Sequence, residues 1–187
     1  PDDPYILVTP GGGGDGEARV DLVLRAYEQD PNLAPHAVLV YGPFLSGDRR
    51  EAFESRVAAL EGRVTATGFD SRIESLFANA EGVICMGGYN TFCEVLSFDQ
   101  RAVIVPRTKP RLEQWIRANR AEELGLVRNL DEFRDGLPPA SMISAIRGLP
   151  HQHRPSQAGA DGLLAGLDVV IERAGALMRS KLVDAAE

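Results

Sequence analysis

The sequence predicts a doubly wound α/β fold: a parallel sheet of about six strands with helices on both faces. Three observations carry this. The strand-like runs are short and apolar throughout, as in strands buried on both sides. They alternate with amphipathic stretches long enough to serve as crossover helices. Glycine or proline closes most of the runs, where ligands bind in sheets of this kind.

The first strand is Tyr5–Thr9, followed by a turn with five glycines and Asp15 between Gly11 and Gly16. A helix follows, with Val20, Leu22, Val23, Leu24, Ala26 and Tyr27 on its apolar face, ended by Asp30-Pro31-Asn32. Ala37–Tyr41 is the second strand, stopped by Gly42-Pro43, and Arg49–Leu60 is a helix facing inward through Phe53, Val57 and Leu60. Val64–Gly68 is a weaker third strand, and Ser71–Ala80 a helix with Ile73, Leu76 and Phe77 inward. Gly82–Met86 is the fourth strand, closed by Gly87-Gly88, with a helix over Thr91–Phe98. Ala102–Val105 is the fifth strand, ended by Pro106; Leu112–Leu124 is a long helix and Leu126–Arg128 a short sixth strand. A helix over Ser141–Arg147 completes an α/β domain spanning residues 1–148.

Residues 149–162 interrupt the rhythm with prolines, histidines and polar residues and read as a loop or linker. His151 and His153 lie there without a carboxylate or Cys at ligand spacing, so no metal is expected. Residues 163–187 form an amphipathic terminal helix, with Leu163, Leu164, Leu167, Val170, Ile171, Ala174, Leu177 and Met178 at helical spacing. It is expected to pack on the same domain or toward a missing amino-terminal one.

The chain has 187 residues and a net charge of −7. That balance argues against general binding to nucleic acid or anionic membranes, which needs a field of Lys and Arg. No apolar run approaches the roughly 20 residues that span a bilayer. Cys85 and Cys93 are expected to be buried small hydrophobes in a reduced, cytoplasmic setting.

Two turns carry the chemistry. Gly11-x-Gly13-x-x-Gly16 matches the spacing of the dinucleotide fingerprint, between a strand and a helix. Glycines let the backbone approach a phosphate, and a helix start offers free N–H groups. A nicotinamide reading also needs an acid ending the second strand, and Val40-Tyr41-Gly42-Pro43 has none. The second turn runs Gly87-Gly88-Tyr89-Asn90-Thr91-Phe92-Cys93-Glu94. Thr91-x-x-Glu94 has capping-box spacing. Glu94 can equally point into the cleft and accept hydrogen bonds from vicinal ribose hydroxyls. From the residues alone both readings stand.

From Phe69 to Ala118, without a gap, the chain resembles the carboxyl-terminal domain of MurG-like GT-B glycosyltransferases, of the glycosyltransferase family 28 type. The matching residues are Phe69 with Ile73, Ala80-Glu81-Gly82-Val83-Ile84-Cys85, Gly88-x-x-Thr91-x-x-Glu94, Val105-Pro106, and Glu113-Gln114 with Ala118. The turn Gly12-Gly13-Gly14-Asp15-Gly16 also resembles the family's phosphate loop. The resemblance implies a sugar nucleotide, UDP-linked, as donor substrate, and no tightly bound cofactor. It gives Glu94 the ribose hydroxyls and Gly88 and Thr91 the diphosphate. The base would meet Phe69 and Asp70 with Ile73 beside it, and the donor sugar would meet Glu113 and Gln114. Three departures stand out. Gly14 replaces a common hydroxyl residue, Asp15 adds a negative charge beside the diphosphate, and Glu113 takes the first place of a familiar Gln-Gln pair.

The implied function is the donor-binding half of a glycosyltransferase that moves a hexose or N-acetylhexosamine to an acceptor hydroxyl. On this reading the chain is one of two domains and inactive alone. Its start, Pro1-Asp2-Asp3-Pro4, resembles an interdomain linker. The alternatives are a separately encoded nucleotide-binding module that docks on a partner subunit, and half of a UDP-sugar epimerase. No residue stands out as the catalytic base; Trp115 is read as packing and Arg117 as surface.

Overall fold

The computed structural model describes residues 3–10, 16–42, 45–68, 72–159 and 162–184. Six strands form one sheet: β1 Tyr5–Thr9, β2 His36–Val40, β3 Val64–Thr67, β4 Gly82–Cys85, β5 Ala102–Ile104 and β6 Arg128–Asn129. Their order is β3-β2-β1-β4-β5-β6, and every neighbouring pair is parallel. Alternate residues of β1, β2, β4 and β5 enter opposite cores. Ile6, Val8, Leu39, Ile84 and Val103 face one cluster, while Tyr5, Leu7, Val38, Val83 and Ile104 face the other. With both faces covered, the central strands β1, β4 and β5 have no polar face, whereas the edge strand β3 exposes Thr65; burying each large aliphatic side chain contributes about 1.5–3 kcal/mol.

Helices α1 (Glu17–Gln29) and α2 (Gly47–Ala59) cover the first face together with α7 (Pro139–Gly148). Phe53 of α2 and Met142 of α7 are buried there. Helices α3 (Ile73–Asn79), α4 (Tyr89–Ser97) and α5 (Glu113–Glu123) cover the second face through Phe77, Val95 and Ala118. Gly82 opens β4 because a Cβ there would lie 2.6 Å from Leu149 Cγ.

Three features differ from expectation. The sixth strand is Arg128–Asn129, two residues later than read, because Leu126 and Val127 are spent in the second core. A one-turn helix, α6 (Glu132–Asp135), follows it, capped by the Asp131 carboxylate, which accepts from the Phe133 amide. Residues 149–159 are not slack. Short 3₁₀ turns at Leu149–His151 and Pro155–Ala158 are tied to the domain. Arg154 donates to the Asp99 carbonyl at 2.8 Å and Arg101 to the Gln152 carbonyl at 2.7 Å.

Helix α8 (Gly166–Asp184) presents Leu167, Val170, Ile171, Leu177 and Met178 to solvent, each more than 60% exposed. Packing on its own domain therefore does not bury this apolar face. No helix among the described residues is long and apolar enough to cross a membrane.

Candidate functional site

In the order 3-2-1-4-5-6 the connections from β1 and β4 leave toward opposite faces of the sheet. The two strands stay paired as far as Thr9 and Cys85, and the connections beyond them diverge, which is the place where doubly wound sheets form their binding crevice. Gly16 ends the first glycine turn as the residue before α1; it is buried, and a Cβ there would sit 2.4 Å from Pro10 Cβ. Only glycine lets the chain fold back this closely. Gly12, Gly13 and Gly14 of the same turn, and Phe69 and Asp70 at the expected base site, lie outside the described residues. Ile73, at the start of α3, is half-buried against the second core.

The turn after β4 is fully described. Gly87 has φ +71°, and a Cβ there would meet Ile104 Cγ2 at 2.7 Å. Gly88 precedes the helix with φ −54° and ψ 157°, and a Cβ there would meet nothing within 4 Å. The first glycine is thus required by conformation and packing, whereas the second faces open space. Helix α4 begins at Tyr89, two residues before the expected start. Its first hydrogen bond runs from the Phe92 amide to the Gly88 carbonyl at 2.8 Å.

This start removes the capping box. Thr91 is the third residue of α4 and Glu94 the sixth, and no side chain caps the helix. The amides at the helix start keep their partial positive charge for another partner. Glu94 is half-buried, and its carboxylate accepts no hydrogen bond from the described residues. It lies close enough to the Cys85 thiol to influence it. Burial pushes that thiol up to about 12, the Gly87 amide opposes the shift, and the Glu94 charge adds to it. Cys93, expected to be buried, is only half-buried on α4.

The β5 edge supplies the remaining residues. Gln114 is buried, and its side-chain oxygen accepts from the Arg107 amide at 3.3 Å. Glu113 is exposed, 3.5 Å from Arg107 Nη2. Gly16, Ile73, Gly88, Thr91, Glu94, Glu113 and Gln114 all lie on the connections or helix starts that follow the strands' carboxyl ends.

The profile described as the glycosyltransferase family 28 C-terminal domain matches residues 12–154. The chain belongs to this family. None of the curated proteins matches the sequence. Among solved structures, glycosyltransferase VinC in complex with dTDP is 19% identical with a TM-score of 0.66, over 96% of this chain and 42% of that one. MurG of Acinetobacter baumannii is 16% identical with a TM-score of 0.57, over 84% of this chain and 48% of that one. The domain thus spans less than half of either enzyme. ALG13, solved in solution, is 15% identical with a TM-score of 0.57, over 82% of this chain and 89% of that one. At these identities the likeness is one of fold: the Rossmann-like α/β domain of GT-B enzymes.

Sequence reading missed the arginines of this family 28 domain. Arg19, in the first turn of α1, donates to the carbonyls of Val105 and Pro106 at 3.3 and 2.9 Å. Arg107 follows β5 after Val105 and Pro106. Arg117, expected to be a surface residue, donates from Nη1 to the Gly87 carbonyl at 2.8 Å, and its guanidinium lies 5.7 Å from the Tyr89 ring centroid. Three cations therefore line the carboxyl edge of a chain whose net charge is −7. Their partners are largely backbone carbonyls far away in sequence, which leave no motif. Among the described residues no group of His, Cys, Asp and Glu gathers to hold a metal.

Proposed function

We propose that this domain binds the nucleotide-sugar donor of a glycosyltransferase, a UDP-linked hexose or N-acetylhexosamine, for transfer to an acceptor hydroxyl. The observation that carries the reading is Glu94. Its carboxylate is half-buried one turn inside α4, is not used in a capping box, and takes no partner among the described residues. Two oxygens of one carboxylate match the two vicinal hydroxyls of a ribose. The uncapped start of α4 and the glycine turn before α1 suit the diphosphate, and Glu113 and Gln114 are assigned the donor sugar.

In the reaction the acceptor oxygen forms a bond to the sugar's anomeric carbon. The bond from that carbon to the diphosphate oxygen breaks, and UDP leaves with the electron pair. The acceptor proton passes to a base supplied from outside the residues assigned here. This domain's contribution is electrostatic: fixed N–H groups and helix ends stabilise charge growing on the leaving diphosphate.

A second reading is a nucleotide-binding module completed by a partner subunit. It is favoured by the ALG13 match, which covers 89% of that chain with this one domain. Co-purification with a second subunit carrying the acceptor site would support it.

Titration of the chain with UDP, dTDP and NAD tests the site. UDP or dTDP should bind, and NAD should not displace either. Absence of binding by both nucleoside diphosphates would end the reading.

A further inference from the structure

We propose that Arg117 is a positioning residue that sets the orientation of the Gly87–Gly88 peptide, and so decides whether the second turn can hold a diphosphate. The inference rests on the donor-site reading above and extends it to a side chain on a different helix.

A peptide unit between two glycines has little to stop it from turning over, since neither residue carries a Cβ. Its C=O and N–H are trans and point in opposite directions. In this structure the Gly87 carbonyl is held by Arg117 Nη1 of α5 at 2.8 Å. The Gly88 N–H, trans to that carbonyl, therefore points away from the Arg117 guanidinium, on the peptide that leads from β4 into α4. Turned over, the same peptide would present a carbonyl oxygen toward the anion site and remove one of its donors.

Two further contacts hold the arrangement. The Arg117 guanidinium lies over the Tyr89 ring, fixing the side chain at the first residue of α4. The Gly87 amide on the other side of the unit interacts with the buried Cys85 thiol. Arg117 is also half-buried, which strengthens a hydrogen bond from a charged donor.

The test compares wild-type chain with Arg117→Met and Arg117→Lys, each titrated with UDP and uridine and with dTDP and thymidine. Chemical-shift titration reaches the weak nucleoside affinities. The readout is the ratio of diphosphate to nucleoside affinity within each protein, which a general loss of stability does not move. Arg117→Met should lower that ratio about tenfold or more while nucleoside affinity stays within about twofold, and Arg117→Lys should recover part of the loss. An unchanged ratio overturns the inference. Equal losses for nucleoside and diphosphate also overturn it, because they mark a merely structural residue. If the wild-type chain binds neither diphosphate, the site reading fails first and the inference fails with it.

Discussion

Arg19 Nη2 donates to the carbonyl of Pro106 at 2.9 Å, joining the first turn of α1 to the end of β5 across the carboxyl edge of the sheet. With the second bond to Val105 it fixes the spacing of the two sides between which β4 delivers its glycine turn. Arg19→Ala should destabilise the fold by about 1–3 kcal/mol, the range for hydrogen bonds from a charged donor. Urea denaturation measures this. A loss below about 0.5 kcal/mol would show that the bonds do not organise the crevice.

The two glycines of the second turn should behave differently. Gly87→Ala places a methyl 2.7 Å from Ile104 Cγ2 on a backbone at φ +71° and should cost about 2–4 kcal/mol of stability. Gly88→Ala adds a methyl to open space at a φ that alanine tolerates, so stability should change by less than about 0.5 kcal/mol. The same methyl blocks close approach of a diphosphate, so UDP affinity should fall while the melting temperature holds. Parallel melting and binding curves on both variants separate the two roles.

These contrasts show what the sequence discloses. The inner strands were legible because double burial makes them apolar runs punctuated by Gly and Pro, as in Ala37–Tyr41 before Gly42, whereas the polar edge strand Arg128–Asn129 was read two residues early. The start of α4 was not. Thr91-x-x-Glu94 carries a capping signature, yet the helix begins at Tyr89, and its Gly87 turn is secured by Arg117 rather than by a cap. Arg117 and Arg19 bond to carbonyls 30 and 87 residues away, and a long-range bond to backbone has no side-chain partner to form a pattern. Gly88 and Glu94 are picked out by resemblance alone, while the Arg117 contact that holds the neighbouring Gly87 carbonyl is visible only in the fold.

Trp115 Nε1 donates to Asp131 Oδ2 at 2.9 Å, and Asp131 Oδ1 accepts from the Phe133 amide. One buried carboxylate thus caps α6 and anchors α5, which carries Gln114. Asp131→Ala should cost about 2–4 kcal/mol, combining a lost cap with an orphaned indole N–H. Asp131→Asn retains an acceptor and should cost less. Equal losses in the two variants would contradict the cap.

Burial raises the Cys85 thiol from 9.0 to about 12. Between these values the unfolded chain has released this proton and the folded chain has kept it, so stability falls as pH rises from about 9 toward 12. Cys85→Ala should flatten that decline, whatever its own cost at neutral pH. Urea denaturation at pH 8 and pH 10.5 on both proteins compares the slopes; equal slopes would mean that the thiol is not desolvated. In the native protein a thiol reagent at pH 8 should modify the half-buried Cys93 well before Cys85.

The central claim is that Glu94 holds the ribose of the donor nucleotide, and calorimetric titration of UDP against 2′-deoxy-UDP tests it most directly. Wild-type chain should bind UDP more tightly, and Glu94→Ala should weaken UDP by about 1.5–3 kcal/mol and erase the preference for ribose. If Glu94→Ala binds both nucleotides as wild type does and lowers only the melting temperature, Glu94 is a structural residue and the account is contradicted.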